Sequence, residues 1–99
     1  LPAAVEVALY RIGAEAVRNV VRHAGASTCV VTVAVEAGRA RLTVRDDGGG
    51  LRDPRSVGVG TASMVERGEE LGGTVLIGNE PGGGTCVIAD IPVPDWADR

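Results

Sequence analysis

A chain of 99 residues with a net charge of -3, 44% hydrophobic residues, one Trp, one Tyr and no Phe makes one small domain with a core of Val, Leu, Ile and Ala. Such a domain buries somewhat above ~60% of its unfolded surface, enough for one core. The absence of any basic run or aromatic cluster speaks against nucleic acid as a partner, and no apolar run nears the ~18 residues of a membrane span.

Leu1 and Pro2 lead into a helix predicted from about Ala3 to His23 and stopped by Gly25. Along it Val5, Leu9, Ile12, Ala16 and Val20 recur at the spacing of a face buried against a sheet. At roughly 100° per residue, Glu15, Asn19, Arg22 and His23 fall on one adjoining stripe. Four polar residues on a lone helix are more often a solvated face, and the residues downstream decide the matter.

Thr28 to Glu36 (TCVVTVAVE) and Ala40 to Arg45 (ARLTVR) read as strands by β-branched content and alternation, joined as a hairpin through Gly38. Cys29 and Cys86 sit in Val-rich alternating runs and are expected as small buried hydrophobes in a reducing compartment, not as a disulfide or metal pair. Asp46 to Gly50 (DDGGG) closes the second strand. Leu51 to Gly60, with Pro54, Gly58 and Gly60, reads as a mobile loop. Thr61 to Leu71 is a second helix, with Thr61 or Ser63 as N-cap, Met64, Val65 and Leu71 inward, and Gly72-Gly73 as the stop. Gly68 inside it costs about 1 kcal/mol against Ala, so this helix leans on its packing. Thr74 to Gly78 and Thr85 to Ile91 form two last strands around Gly82 to Gly84. The domain is expected to occupy residues 1–92, with 93–99 (VPDWADR) as a tail or linker start. Helix, two strands, glycine loop, helix and two strands make a two-layer α/β sandwich, with a mixed, mostly antiparallel sheet covered by helices on one face.

Fifteen glycines in 99 residues are about twice the usual share. Gly38, Gly72-Gly73 and Gly82 to Gly84 are assigned to tight turns. Gly48, Gly50, Gly58 and Gly60 flank a loop that runs toward a helix N-terminus, where backbone N–H groups can meet a phosphate, and they point to a nucleotide. The chain contains no lysine, which excludes the P-loop and the strand-borne lysine of eukaryotic-type kinases. A dinucleotide fingerprint lacks its third glycine, and a Cys-His nucleophile pair finds no orienting third residue.

Glu15, Asn19 and His23 resemble the N-box of the GHKL ATPase superfamily, Asp46-Asp47-Gly48-Gly49-Gly50 its DxGxG box, and Gly58-Val59-Gly60 its second glycine box. MVERGEELGG from Met64 to Gly73 and GGGT at Gly82 to Thr85, then Pro92, resemble the ATP-binding domain of bacterial sensor histidine kinases of the NarL/DesK class. The resemblance covers nearly the whole chain and departs at Thr61, where that class usually carries Leu, and at Arg22, where Lys is common.

The resemblance implies the Bergerat ATP-binding fold, ATP and Mg²⁺ as cofactors, and a set of roles. Asp46 would accept a hydrogen bond from the adenine amino group, which favours adenine over guanine, and Gly48 would leave room for the base. Asn19 would be the metal ligand, and Glu15 would orient a water or accept the nucleophile's proton, making Glu15 and Asn19 the catalytic pair. Arg22 and His23 would face the phosphates, with Gly50, Gly58, Val59, Gly60, Thr61 and Thr85 completing the nucleotide site. The only histidine faces the nucleotide, so the phosphoacceptor would lie on a separate dimerisation domain of a homodimeric sensor, either cytosolic or anchored in the inner membrane, with a response regulator downstream. The chain itself would be a cytoplasmic, monomeric ATP binder. Two rivals are an anti-sigma factor serine kinase acting as a protein-binding switch and a nucleotide-gated clamp of the gyrase, MutL or Hsp90 kind. The MxERxxxLGG helix disfavours the first, and the short lid and missing lysine disfavour the second.

Overall fold

The computed structural model describes residues 1–24, 27–48, 59–80 and 83–94, with the side chains of 23, 24 and 59–61 outside the description. Helix α1 spans Ala3–Asn19. It starts without a side-chain cap, and the Pro2 carbonyl accepts the N–H groups of Val5 and Glu6. From Val20 to Ala24 the helix widens into a π turn. The expected helix therefore runs to its predicted end, but not as one α-helix. Glu15 and Asn19 of the expected stripe lie on the α-helical part, and Arg22 and His23 lie within the π turn.

Strands β1 (Cys29–Glu36) and β2 (Arg39–Asp46) follow, then α2 (Val59–Glu70), β3 (Thr74–Asn79) and β4 (Thr85–Pro92). The sheet order is β1-β2-β4-β3, and all three pairings are antiparallel. Ala37 and Gly38, both at positive φ, make the two-residue turn of the first hairpin, a geometry that matches the right-handed twist of the strands it joins. Helix α2 ends at a Schellman motif. The Gly73 N–H reaches the Gly68 carbonyl, the Gly72 N–H reaches Glu69, and Gly72 is left-handed at φ 75°.

The inner face of the sheet runs in rows, Val31–Val44–Val87–Ile77 followed by Val33–Leu42–Ala89–Val75. Against these rows α1 packs Val5, Ala8, Leu9, Ile12 and Ala16, and α2 packs Met64, with Val65 and Leu71 half-buried beside it. Helix α1 lies over β2 and β4, and α2 over β3 and β4. Both helices thus cover one face, as the sequence predicts.

Several expectations need correction. Val20 is only half-buried, although its N–H still bonds to the Ala16 carbonyl as in the α-helix before it. Helix α2 begins at Val59, so Val59 and Gly60 are helical instead of loop residues, and neither Thr61 nor Ser63 is an N-cap. The remainder of the predicted mobile loop, residues 51–58, lies outside the described residues. Val93, assigned to the tail, is buried in the core, and its N–H donates to the Gly38 carbonyl at 2.7 Å. Cys29 is exposed and Cys86 half-buried, and neither is a core hydrophobe. Every residue of β1 is exposed, because the helices stop short of this edge strand. Pairing Cys29 with Asp46 and Cys86 with Arg45 puts the two thiols on opposite faces of the sheet.

Close packing, rather than turn geometry alone, requires two of the glycines. A Cβ on Gly68 would stand 2.7 Å from the Val75 side chain, and one on Gly73 would stand 2.4 Å from the Asp90 carbonyl oxygen. Gly73→Ala is therefore expected to lower stability by about 1–3 kcal/mol through overpacking against backbone. Gly78→Ala, which meets nothing within 4 Å, should change it by no more than ~0.5 kcal/mol. Chemical denaturation of the two variants checks the contrast.

Candidate functional site

One end of the sheet gathers the start of β1, the end of β2 and the start of β4 with Gly83 and Gly84 before it. Asp46, at the end of β2, is the only buried charged residue described, at 8% exposure. A carboxylate taken out of water is costly unless donors meet it. Its Oδ1 accepts the Gly48 N–H at 2.9 Å, and its Oδ2 has no donor among the described residues. The pairing of β2 with β4, continued one step past Arg45 and Cys86, sets half-buried Thr85 opposite Asp46. Cys29 pairs with Asp46 on the other side. The inner face of the sheet thus ends in the row Cys29–Asp46–Thr85.

Gly84 closes this end. It stands at φ 91°, and a Cβ there would lie 1.9 Å from the Asp46 carbonyl oxygen; one on Gly83 would lie 3.7 Å from the Gly48 carbonyl oxygen. Gly83 and Gly84 are thereby laid against the segment from Asp46 to Gly48, far away in sequence. For Gly84 the requirement goes beyond the turn geometry expected from the sequence, because backbone of β2 packs against it.

Asp47 points the other way. Its Oδ1 accepts the N–H groups of Ser27 at 2.8 Å and Thr28 at 2.9 Å, while its own N–H reaches the Thr28 carbonyl. This clamp ties the end of β2 to the segment that enters β1. Sequence reasoning missed it, because a DxGxG pattern leaves its second position open. The backbone donors of Thr28, then of Ser27, hold the Asp47 carboxyl below the usual carboxylate range.

The helix side chains complete the description. Glu15 and Asn19, one turn apart on α1, are both half-buried. Arg18 stands 4.0 Å from Glu15, a loose and solvent-facing ion pair of little energetic weight. Arg22 is exposed within the π turn, a feature that recurs at functional sites. The His23 side chain, Gly50 and Gly58 fall outside the described residues. Val59, Gly60 and Thr61 form the first turn of α2, whose leading N–H groups have no partner within the helix and so suit an anion. The Cys29 thiol is pushed up by loss of surrounding water and by the Asp46 charge, which keeps it protonated and makes it a poor nucleophile.

The family model described as Histidine kinase-, DNA gyrase B-, and HSP90-like ATPase matches residues 4–95. The sensor histidine kinase MctS of Rhizobium johnstonii is 42% identical over 97 residues, covering 93% of this chain and 21% of that protein. LiaS of Bacillus subtilis, a sensor histidine kinase, is 35% identical over 91 residues, covering 90% and 25% respectively. The chain thus spans a fifth to a quarter of the length of these curated relatives. Among solved structures, the histidine kinase domain of the blue-light activated histidine kinase of Erythrobacter litoralis EL346 superposes with a TM-score of 0.75 at 26% identity, over 94% of this chain and 46% of that one. The ATP-binding domain of PrrB from Mycobacterium tuberculosis shares the fold, with a TM-score of 0.71 at 24% identity, over 96% and 71%.

Two substitutions separate the supports of this end. Gly84→Ala combines a disallowed φ with a backbone collision and is expected to cost about 1–3 kcal/mol or more, read from a denaturant midpoint. Asp47→Ala should speed amide exchange at Ser27 and Thr28 while leaving the β2–β4 ladder protected. The pH dependence carries a definite sign, because the folded pKa of Asp47 is depressed. Its contribution to stability is fully present above the unfolded value of about 3.9 and is lost as pH falls through the folded value. Acid unfolding of Asp47→Ala should accordingly show a flatter slope below about pH 4 than the parent chain.

Proposed function

The chain belongs to the Histidine kinase-, DNA gyrase B-, and HSP90-like ATPase family, as an ATP-binding catalytic domain of the sensor-histidine-kinase type, and from this we propose what it does within a longer protein. It holds Mg-ATP and presents the γ-phosphoryl group to a histidine on a separate dimerisation domain of a homodimeric sensor, for onward transfer to a response regulator. The observation that carries the reading is Asp46. A carboxylate at the end of a central strand, with one oxygen committed to Gly48 and the other without a donor among the described residues, fits the exocyclic amino group of adenine. A guanine would present a carbonyl oxygen at the same place.

The residues fit the rest of the cofactor. Mg²⁺ typically takes one or two protein oxygens and draws the others from phosphates and water, so the Asn19 side-chain oxygen is a sufficient contribution. Bound there, the metal would neutralise charge on the phosphates. Glu15, one turn earlier, would accept a proton as the acceptor imidazole attacks, or orient a water. Arg22, His23 and the first N–H groups of α2 would meet phosphate charge, while Gly48, Gly50 and Gly58 would admit backbone close to the ligand. Phosphoryl transfer is mainly positioning and electrostatics, and this set supplies both.

Among the described residues no helix is long and apolar enough to cross a membrane, and the domain would work on the cytoplasmic side of a sensor that is either cytosolic or anchored in the inner membrane. The relatives compared are sensor kinases, which leaves the serine-kinase switch as the weaker reading.

Three substitutions test the assignment. Asp46→Asn should abolish the preference for ATP over GTP in calorimetry; equal affinities in the unsubstituted chain would remove the basis of the proposal. Asn19→Ala should weaken nucleotide binding in the presence of Mg²⁺ and leave metal-free binding intact. Glu15→Gln should leave ATP affinity within a few-fold yet slow transfer to a supplied acceptor domain by ~10² or more.

A further inference from the structure

We propose that the cleft between α1 and α2 is the docking groove for an acidic face of the helical domain that carries the phosphoacceptor histidine. This rests on the reading above and names the surface through which that partner is held. The cleft encloses about 290 Å³ and is lined by Tyr10, Arg11, Glu15, Arg18, Met64 and Arg67. Met64, at 1% exposure, forms an apolar floor, and Tyr10, at 75% exposure, stands free at the rim.

The charge of this cleft runs against that of the molecule. Three guanidinium groups face one carboxylate here, in a chain whose net charge is -3. Arg18 leans toward Glu15; Arg11 and Arg67 have no acidic partner among the described residues. Unpaired guanidinia beside an exposed tyrosine and a thioether floor are the residue types enriched at protein interfaces, where planar donors meet carboxylates and aromatic faces take up apolar area.

Position distinguishes a protein partner from the nucleotide. The adenine end is marked by Asp46 and the metal ligand by Asn19, whereas Arg11 stands eight residues, or about 12 Å, before Asn19 along α1. Glu15 lines the cleft and is the group assigned to the incoming imidazole. A partner seated against Arg11 and Arg67 would therefore deliver its histidine to the side of Glu15 that faces away from the base.

The test uses this chain and, as probe, the histidine-bearing domain of its parent sensor supplied as a separate polypeptide. Arg11→Glu and Arg67→Glu should each weaken binding of the probe, measured by calorimetry without nucleotide, by about tenfold at low salt. They should raise KM for the probe in phosphotransfer by the same factor, with kcat and ATP affinity within twofold. Arg67→Lys should restore most of the affinity, and high salt should reduce the difference between parent and variants. Unchanged probe binding in both reversals, with normal ATP binding, overturns the inference. A fall in ATP affinity equal to the loss of transfer also overturns it, since it would assign these arginines to the nucleotide. Failure of the unsubstituted chain to bind ATP would instead overturn the function proposed above.

Discussion

A buried carboxylate with only one of its oxygens bonded within the chain is the constraint from which the functional end of this domain follows. Leaving Asp46 out of water would cost several kcal/mol if nothing met its charge, so the surrounding backbone is arranged to provide a donor. Gly48 provides it, with a backbone N–H 2.9 Å from Oδ1. Gly84 permits the arrangement, because a side chain there would collide with the Asp46 carbonyl. Asp46 can sit this deep because β2 is flanked by β1 and β4, and it is the last residue of that strand. A strand end inside a sheet offers both a rigid base and an open mouth. The remaining acceptor capacity of Asp46 is then directed at whatever enters.

Much of the fold was legible in the sequence because the signals were local. Alternation marked β2 and β4, Ala37-Gly38 forced the first hairpin, and Gly72 ended α2 by the motif its φ demands. The stripe Val5, Leu9, Ile12 and Ala16 found the core face of α1. What stayed illegible depended on contacts between distant residues. The duty of Gly84 appears only when β4 lies beside β2. The clamp from Asp47 to Ser27 and Thr28 spans about twenty positions, and no spacing rule announces it. The π turn from Val20 to Ala24 is illegible for another reason. Its residues satisfy an α-helical pattern equally well, and a wide turn is selected by what packs at its ends.

Strand β1 shows the limit of reading burial from alternation. Val31 and Val33 point to the helical layer and line an apolar groove of about 570 Å³ with Leu9, Val17 and Leu42, yet both remain exposed, as do Val30 and Val35. Periodicity reports which side of the pleat a residue takes; it does not report whether a second layer reaches that far. Here α1 sits over β2 and β4, and among the described residues the edge is left with both an apolar face and unpaired backbone groups. The same displacement explains Cys29, which has the pattern of a core residue and the exposure of an edge.

The adjacent aspartates make the strongest case that register, more than residue type, creates the site. Asp46 and Asp47 are chemically identical and one residue apart, and a strand turns successive side chains to opposite sides. Asp46 therefore lies in the row with Cys29 and Thr85 on the inner face, whereas Asp47 takes two backbone donors from the segment entering β1. A slip of one residue between β1 and β2 would exchange these environments and turn every core valine of β2 outward. The two-residue turn at Ala37 and Gly38 prevents that slip from one end, and the Asp47 clamp prevents it from the other. The carboxylate proposed to recognise the ligand is thus held in place by its neighbour in the chain, through bonds that Asp46 itself does not make.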